Sequence, residues 1–333
     1  MKTHLKLIAG VALAAISSAS AQENTTKPVG FRTETIKAGV FNLISVDLTE
    51  AISAAGTSTG VSATGLTDDA ADFATTLAAE GKTWVVQITS GAAAGTVIEA
   101  TVNGANGLDS PDFAAAGVAA GDSYEVRAAK TLADIFGPAN EAGLTKASSD
   151  AGADIIWIPD GQGGFNRFFY KEGGIAGGNG WRAVGAVAQD RSNEPIVYTD
   201  AFFIQSKATT DLNLVIVGHV QTQKATVPLL KGFNFVSRIA PVGQTLATTK
   251  LDAIVETAAS DTASDIIWNP DGNGGYNRYF LKTGGIAGGN GWRPVGQVGT
   301  DASGTALESG IIIQRKGDPV NAPINVPDFY ANL

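Results

Sequence analysis

The chain has 333 residues, no cysteine, 23 Lys and Arg against 32 Asp and Glu, and a formal charge of −9. Without cysteine there are no disulfides and no thiol nucleophile, and two histidines are too few for a multi-histidine zinc site. The acidic balance, with no block of Lys or Arg, argues against nucleic acid and anionic membrane as partners, because both are bound through clustered positive charge.

Residues 1–21 read as a secretory signal. Lys2 and Lys6 form a basic start, Leu7 to Ile16 a short apolar run, and Ala19-Ser20-Ala21 a small-residue cleavage site. The run is shorter than the roughly 20 residues a bilayer span needs. Cleavage removes His4 and both lysines, leaving His219 as the single histidine and a charge of −11. The expectation is an exported protein, extracellular or at the cell surface, with the periplasm as the other destination, and with no membrane insertion after cleavage.

The strongest pattern in the chain is a repeat. Residues 149–187 recur without a gap 111 positions later as 260–298, with 28 of 39 positions identical. Each copy reads Asp-Ile-Ile-Trp, a Pro-Asp-Gly turn, an aromatic run around Asn-Arg, then Gly-Gly-Ile-Ala-Gly-Gly-Asn-Gly-Trp-Arg. Periodicity of this kind sets architecture before any local motif does. Weaker matches flank the block: Val29-Gly30-Phe31 resembles Val217-Gly218-His219, and Phe203 to Lys207 resembles Ile312 to Lys316. Two homologous domains are therefore expected, at 28–208 and 213–317, followed by an extended tail at 318–333.

The first copy is longer because of an insertion at about 52–130. It opens on Gly, Ser and Thr, then offers a helix from Asp68 to Glu80 with Phe73 and Leu77 four apart and Gly81 as a stop. Thr83 to Thr89 and Thr96 to Val102 read as a hairpin, and Asp122 to Arg127 as a further strand. Inside the repeats, Asp154 to Trp157 and Asp265 to Trp268 are strands, Pro159 and Pro270 open turns, and Phe165 to Tyr170 and Tyr276 to Leu281 are the return strands. Short helices are expected at 131–136 and 250–257. The fold class is mainly β: two tandem sandwich-like or barrel-like domains, the first with an inserted β subdomain carrying one short helix.

Three motifs carry the functional candidates. Trp181, Arg182, Trp292 and Arg293, with Asn166, Asn277, Tyr279, Asn179 and Asn290, suit either an aromatic sugar platform or an interface, and packing in the core competes with both. The Pro-Asp-Gly loops offer Asp160, Asp271 and Asn273 to calcium, although they lack the further acidic ligands of a calcium loop. The Gly-rich loops lack the strand-to-helix context of nucleotide binding. For catalysis, Asp154 and Asp265 are the repeated carboxylates a glycosidase would need, and nothing in the sequence brings them together.

Several features resemble a family of uncharacterised exported proteins typical of Verrucomicrobia and related bacteria: the Val-Gly-Phe opening, Phe-Asn-Leu-Ile-Ser, Thr83 to Gly91, Gly121-Asp122-Ser123, Thr131 to Gly137, Ala153-Asp154 and Trp181-Arg182. The resemblance covers most of the chain after residue 21 and implies secretion and β-rich structure. It carries no catalytic residue. The expected function is structural or adhesive, at the cell surface or in the extracellular matrix, with self-assembly through repeated loops and edge strands. Partners are then the protein itself or other surface proteins. The alternative is binding of extracellular polysaccharide, with a glycosidase-like enzyme third.

Overall fold

The computed structural model describes residues 27–78, 82–174 and 177–332. The expected signal at 1–21 lies outside them. Nearly all regular structure is β-strand. The strands of the two repeats are β1 (Val29–Ile36), β2 (Phe41–Ile44), β3 (Ile155–Pro159), β4 (Phe165–Lys171), β5 (Gly180–Ala183), β6 (Phe202–Gln205) and β7 (Leu212–Val220), then β8 (Ala225–Leu229), β9 (Gly232–Val236), β10 (Ile266–Pro270), β11 (Tyr276–Lys282), β12 (Gly291–Pro294), β13 (Ile311–Arg315) and β14 (Val320–Ile324).

The first repeat forms a sheet in the order β5-β4-β3-β6-β2, and the second forms β12-β11-β10-β13-β9. The order is the same and every pairing is antiparallel. Each sheet has a second strand layer: β1 pairs with β7, and β8 pairs with β14. All these sheets are open, so of the two expected forms the sandwich-like one is present and the barrel is not.

Two expected boundaries change. The second domain does not begin at 213, because β7 (Leu212–Val220) pairs along its length with β1 and closes the first repeat. Val29-Gly30-Phe31 and Val217-Gly218-His219 are therefore cross-strand neighbours and not equivalents; Gly30 lies opposite Gly218. Residues 318–332, expected as part of an extended tail, belong to the second repeat: β14 pairs with β8, Ala322 and Ile324 are buried, and Tyr330 is buried with its hydroxyl donating to Val242 O at 3.2 Å. Ile324 and Ala322 complete the second repeat's core, which a free tail could not do.

Alternation along the strands has a consequence for both faces. Ile156, Phe168, Tyr170, Phe202 and Ile204 face the first repeat's own core with Trp181 and Ile44. Trp157, Arg167, Phe203 and Leu43 occupy the opposite face, as their pairing shows. A sheet with apolar groups on both faces needs a second covering layer. Here the other repeat supplies part of it: Leu43, Ala201 and Ile312 are buried together, with Phe203, Phe235, Trp268 and Tyr276 packed against them. Polar contacts reinforce the junction. Ala201 N donates to Phe235 O at 3.1 Å, and Ser309 Oγ donates to Leu43 O at 2.8 Å. Asp47, fully buried, accepts from Arg32 Nε at 3.1 Å and from Arg238 Nε of the second repeat at 2.6 Å.

The insertion forms its own seven-stranded sheet from Ile52 to Ala128 with its own apolar core. The expected hairpin and third strand are present as Trp84–Ile88, Val97–Asn103 and Ser123–Ala128. The expected helix from Asp68 to Glu80 is only one turn, Phe73–Thr76. Asp68 is instead buried against the insertion's sheet, its carboxylate accepting from Tyr124 Oη at 2.6 Å and from Ala70 N at 2.9 Å. Asp72 caps the shortened helix; Glu80 and Gly81 lie outside the described residues. A second one-turn helix, Asp112–Ala115, was not expected. The helix expected at 131–136 is present at Leu132–Phe136, with Thr131 and Asp134 forming a capping box. At 250–257 the structure has a single 3₁₀ turn, Leu251–Ala253.

Candidate functional site

The Trp-Arg pairs are not a surface platform. Trp181 and Trp292 are buried, each in the core of its own repeat, and Tyr279 is half-buried against the second core. Arg182 and Arg293 are buried too, and both point into the Gly-rich loop before them. Arg182 donates to Gly177 O from Nε at 3.0 Å and to Asn179 O from Nη2 at 3.0 Å. Arg293 donates to Gly288 O at 2.6 Å and Asn290 O at 2.9 Å. Lys171 donates to Gly173 O and, at 3.3 Å, to Gly178 O; Lys282 does the same to Gly284 and Gly289. Asn179 and Asn290 are exposed, yet each accepts a backbone N–H across the loop at 2.8 Å. The carbonyls of a tight loop must find donors, and here buried cations provide them. The repeated Lys, Asn and Arg of the two loops therefore share one structural role.

The Pro-Asp-Gly loops are also closed internally. Asp160 Oδ1 accepts from Gln162 N and Gly164 N, both at 2.8 Å. Asp271 Oδ1 accepts from Asn273 N at 2.8 Å and Gly275 N at 2.9 Å. These carboxylates hold turns, and no group of three or more metal-ligating side chains occurs among the described residues. Asn166 and Asn277 are exposed, one on each return strand. Asp154 and Asp265 are buried in separate repeats. Asp154 accepts from Thr145 N and Lys207 N; Asp265 accepts from Glu256 N, Lys316 N and Arg315. His219 lies opposite Val29, at a strand end.

The structure instead brings together residues that were not selected. Between the sheets lies an open apolar cleft of about 440 Å³. Phe41, Trp157, Phe165 and Phe203 line it from the first repeat, and Phe233, Trp268, Tyr276 and Ile312 from the second. These are the same four sheet positions twice. Trp157 and Trp268 share the repeat register, Phe203 pairs with Trp157 as Ile312 pairs with Trp268, and Phe41 and Phe233 each precede the loop-closing Asn42 and Asn234. The cleft is thus pseudo-two-fold symmetric. Its aromatics contact edge-on or tilted: Phe41–Trp157 at 5.8 Å, Trp157–Phe165 at 6.0 Å, Phe165–Phe235 at 5.0 Å, Phe233–Trp268 at 6.2 Å. Phe41 and Phe233 stand 43% and 57% exposed, so much of this aromatic surface faces water.

Each side has a cation. The Arg167 guanidinium lies over the Trp157 ring at 5.1 Å, and Arg278 lies over Trp268 at 5.2 Å. Among the described residues neither has a carboxylate partner. Burial and the nearby Asp271 charge push the Tyr276 hydroxyl up, so this group stays neutral. The signal for this site was available in the alternation of Trp157, Phe165 and Phe203 on the face away from the core; a doubly apolar sheet implies that the second face has a use.

No family model, curated protein or solved structure matches the chain.

Proposed function

We propose that the protein is an exported, non-enzymatic adhesive or structural protein, and that the aromatic cleft between the repeats is its contact surface. The observation that carries this reading is the exposed, doubly repeated aromatic lining of the cleft. Contiguous exposed apolar surface is costly in water and marks interaction sites. Export rests on the basic, apolar and small-residue pattern of residues 1–21 and on the resemblance to exported Verrucomicrobial proteins. The favoured partner is a protein segment with apolar side chains and acidic flanks. Apolar groups fill the cleft, and carboxylates match Arg167 and Arg278.

Polysaccharide is the weaker reading. Sugar hydroxyls need hydrogen-bonding neighbours, and an aromatic cleft offers them few, so burying them there is unfavourable. An adsorption experiment separates the two. Purified protein is passed over phenyl-coated beads, insoluble cellulose and chitin. Saturable retention on phenyl beads supports the proposal. Saturable binding to a polysaccharide with none to phenyl beads would reverse the ranking.

A further inference from the structure

A second cavity, of about 230 Å³, lies where the insertion meets the first repeat, and it shares no residue with the aromatic cleft. Ile52 and Arg127 line it from the insertion's sheet, and His219 and Val220 from the end of β7. A recess of about 10 Å³ adjoins it, sharing Thr49, Glu50 and Arg127 and reaching Tyr198. A space of that size takes about one water-sized group, such as a single oxygen. Arg127 is 2% exposed and Tyr198 5%, so the polar groups at this point are held inside the structure.

The acceptors here are already spent. Glu125 accepts from Lys27 at 2.9 Å through both oxygens and from Arg127 Nη2, and Glu50 accepts from Lys130. Gln87 Oε1 accepts from Gln221 Nε2 at 2.9 Å and from Arg127 Nη1 at 3.4 Å. Donors are left over. Among the described residues Arg127 Nε donates to nothing, and the Tyr198 hydroxyl is buried with no partner. Burial pushes that hydroxyl up, so it stays a neutral O–H. Lys27, Arg127 and Lys130 stand against the two carboxylates Glu50 and Glu125, which leaves one positive charge in a chain whose total is −9. Buried donors without an acceptor are costly, and a ligand that brings an acceptor removes that cost. The rest of the wall is apolar: Ile52 and Val220 in the cavity, Val46, Leu48 and Val85 in the recess.

We infer that this cavity binds a small carboxylate with an apolar body, its carboxylate held by Arg127 and Tyr198 and its hydrocarbon lying against Ile52 and Val220. Arg pairs with carboxylate through charge-assisted hydrogen bonds, and an apolar pocket with a few convergent polar groups is the usual form of a small-molecule site. A free short-chain acid and the C-terminus of a peptide ending in an apolar residue share this chemistry. The site stands apart from the contact surface proposed for the cleft and does not rest on it.

Isothermal titration calorimetry of the full chain without residues 1–21 tests it, with sodium hexanoate as the probe. Hexanoate is expected to bind saturably with a Kd of about 1 mM or tighter, as a ligand of its size can. Hexanamide, which keeps the hydrocarbon and loses the charge, is expected to bind about tenfold more weakly or worse. Tyr198→Phe is expected to weaken hexanoate binding by about fivefold or more while thermal unfolding stays unchanged, because the hydroxyl bonds nothing in the free protein. Ala51→Glu is the second variant: Ala51 is an exposed residue of the cavity wall, so the fold tolerates the change, and the added carboxylate is expected to abolish binding by like-charge repulsion. The dipeptide acetyl-Ala-Leu with a free C-terminus, titrated in parallel, tells the two sources apart: tighter binding than hexanoate assigns a peptide terminus, weaker binding a free acid. Absence of saturable hexanoate binding overturns the inference, as does hexanamide binding equally well. A folded Tyr198→Phe or Ala51→Glu protein that binds hexanoate like the wild type also overturns it.

Discussion

Arg182 donates to the Gly177 carbonyl from Nε at 3.0 Å and from Nη2 at 2.5 Å, and so ties the Gly-rich loop to the strand that follows it. Its further bonds go to Asn179 O, Trp181 O and Asp190. In the second repeat Arg293 repeats the contact through Nη2 alone, and its Nε is buried without a partner. Arg182→Met should therefore destabilise the protein by about 2–4 kcal/mol, because loop carbonyls lose charged donors inside the structure. Arg293→Met should cost less. Urea denaturation of the two variants measures the difference.

The loop backbone sets a second expectation. Gly177 and Gly288 have φ of +80° and +81°, and a Cβ on them would lie 2.0 Å and 1.9 Å from the carbonyl oxygens of Val187 and Val298. Ala at either position should cost about 2–3 kcal/mol. Gly173 has φ of +77° with open space around it, so Gly173→Ala should cost only about 1 kcal/mol. Melting temperatures of the three variants test this ranking.

Asp47 joins the repeats through a buried cluster. Removing its charge leaves Arg238, itself buried, facing no carboxylate. Asp47→Asn should destabilise by about 3–5 kcal/mol, the usual consequence of stranding a buried charge. Equilibrium unfolding followed by Trp fluorescence is the check.

Asp200 gives a pH dependence. Burial, reinforced by the Glu99 charge and opposed by a hydrogen bond from Thr199, pushes its carboxyl up to about 7. The folded-state value thus lies above the unfolded one, so the fold favours the protonated form. The contribution of Asp200 to stability is complete below its ordinary value of 3.8, is still nearly so at pH ~4, and falls as pH rises to about 7. Asp200→Asn should match the wild type near pH ~4 and exceed it near pH ~8. Urea midpoints at the two pH values measure this, and an equal gain at both would contradict it.

Strand positions were legible because the determinants are local. Asp-Ile-Ile-Trp and the short helix at 131–136 are short-range patterns, and both appear close to where their residues predict, although Pro159 and Pro270 close their strands instead of opening the turns. The roles of the aromatics were not legible. Trp181 and Trp157 sit in similar strand contexts, yet one is buried in a core and the other lines a cleft. Only the packing of one sheet against another distinguishes them. The boundary at 213 was misplaced for a related reason. Val-Gly motifs at 29 and 217 look like duplicates, yet they pair with each other across one sheet, and only Gly218 is crowded: a Cβ there would lie 2.5 Å from Thr49 O, whereas one on Gly30 would meet nothing nearer than 3.9 Å. The two motifs therefore occupy one sheet of the first repeat and are not equivalent positions of two repeats.

Phe41 and Phe233 are the most exposed rings of the aromatic cleft between the repeats. The most direct measurement is retention of Phe41→Ser with Phe233→Ser on phenyl-coated beads, alongside the wild type at equal concentration. Both sites are partly open, so the fold should survive, as circular dichroism will show. Retention is expected to fall by about tenfold or more. A folded double variant that binds as well as the wild type would contradict it.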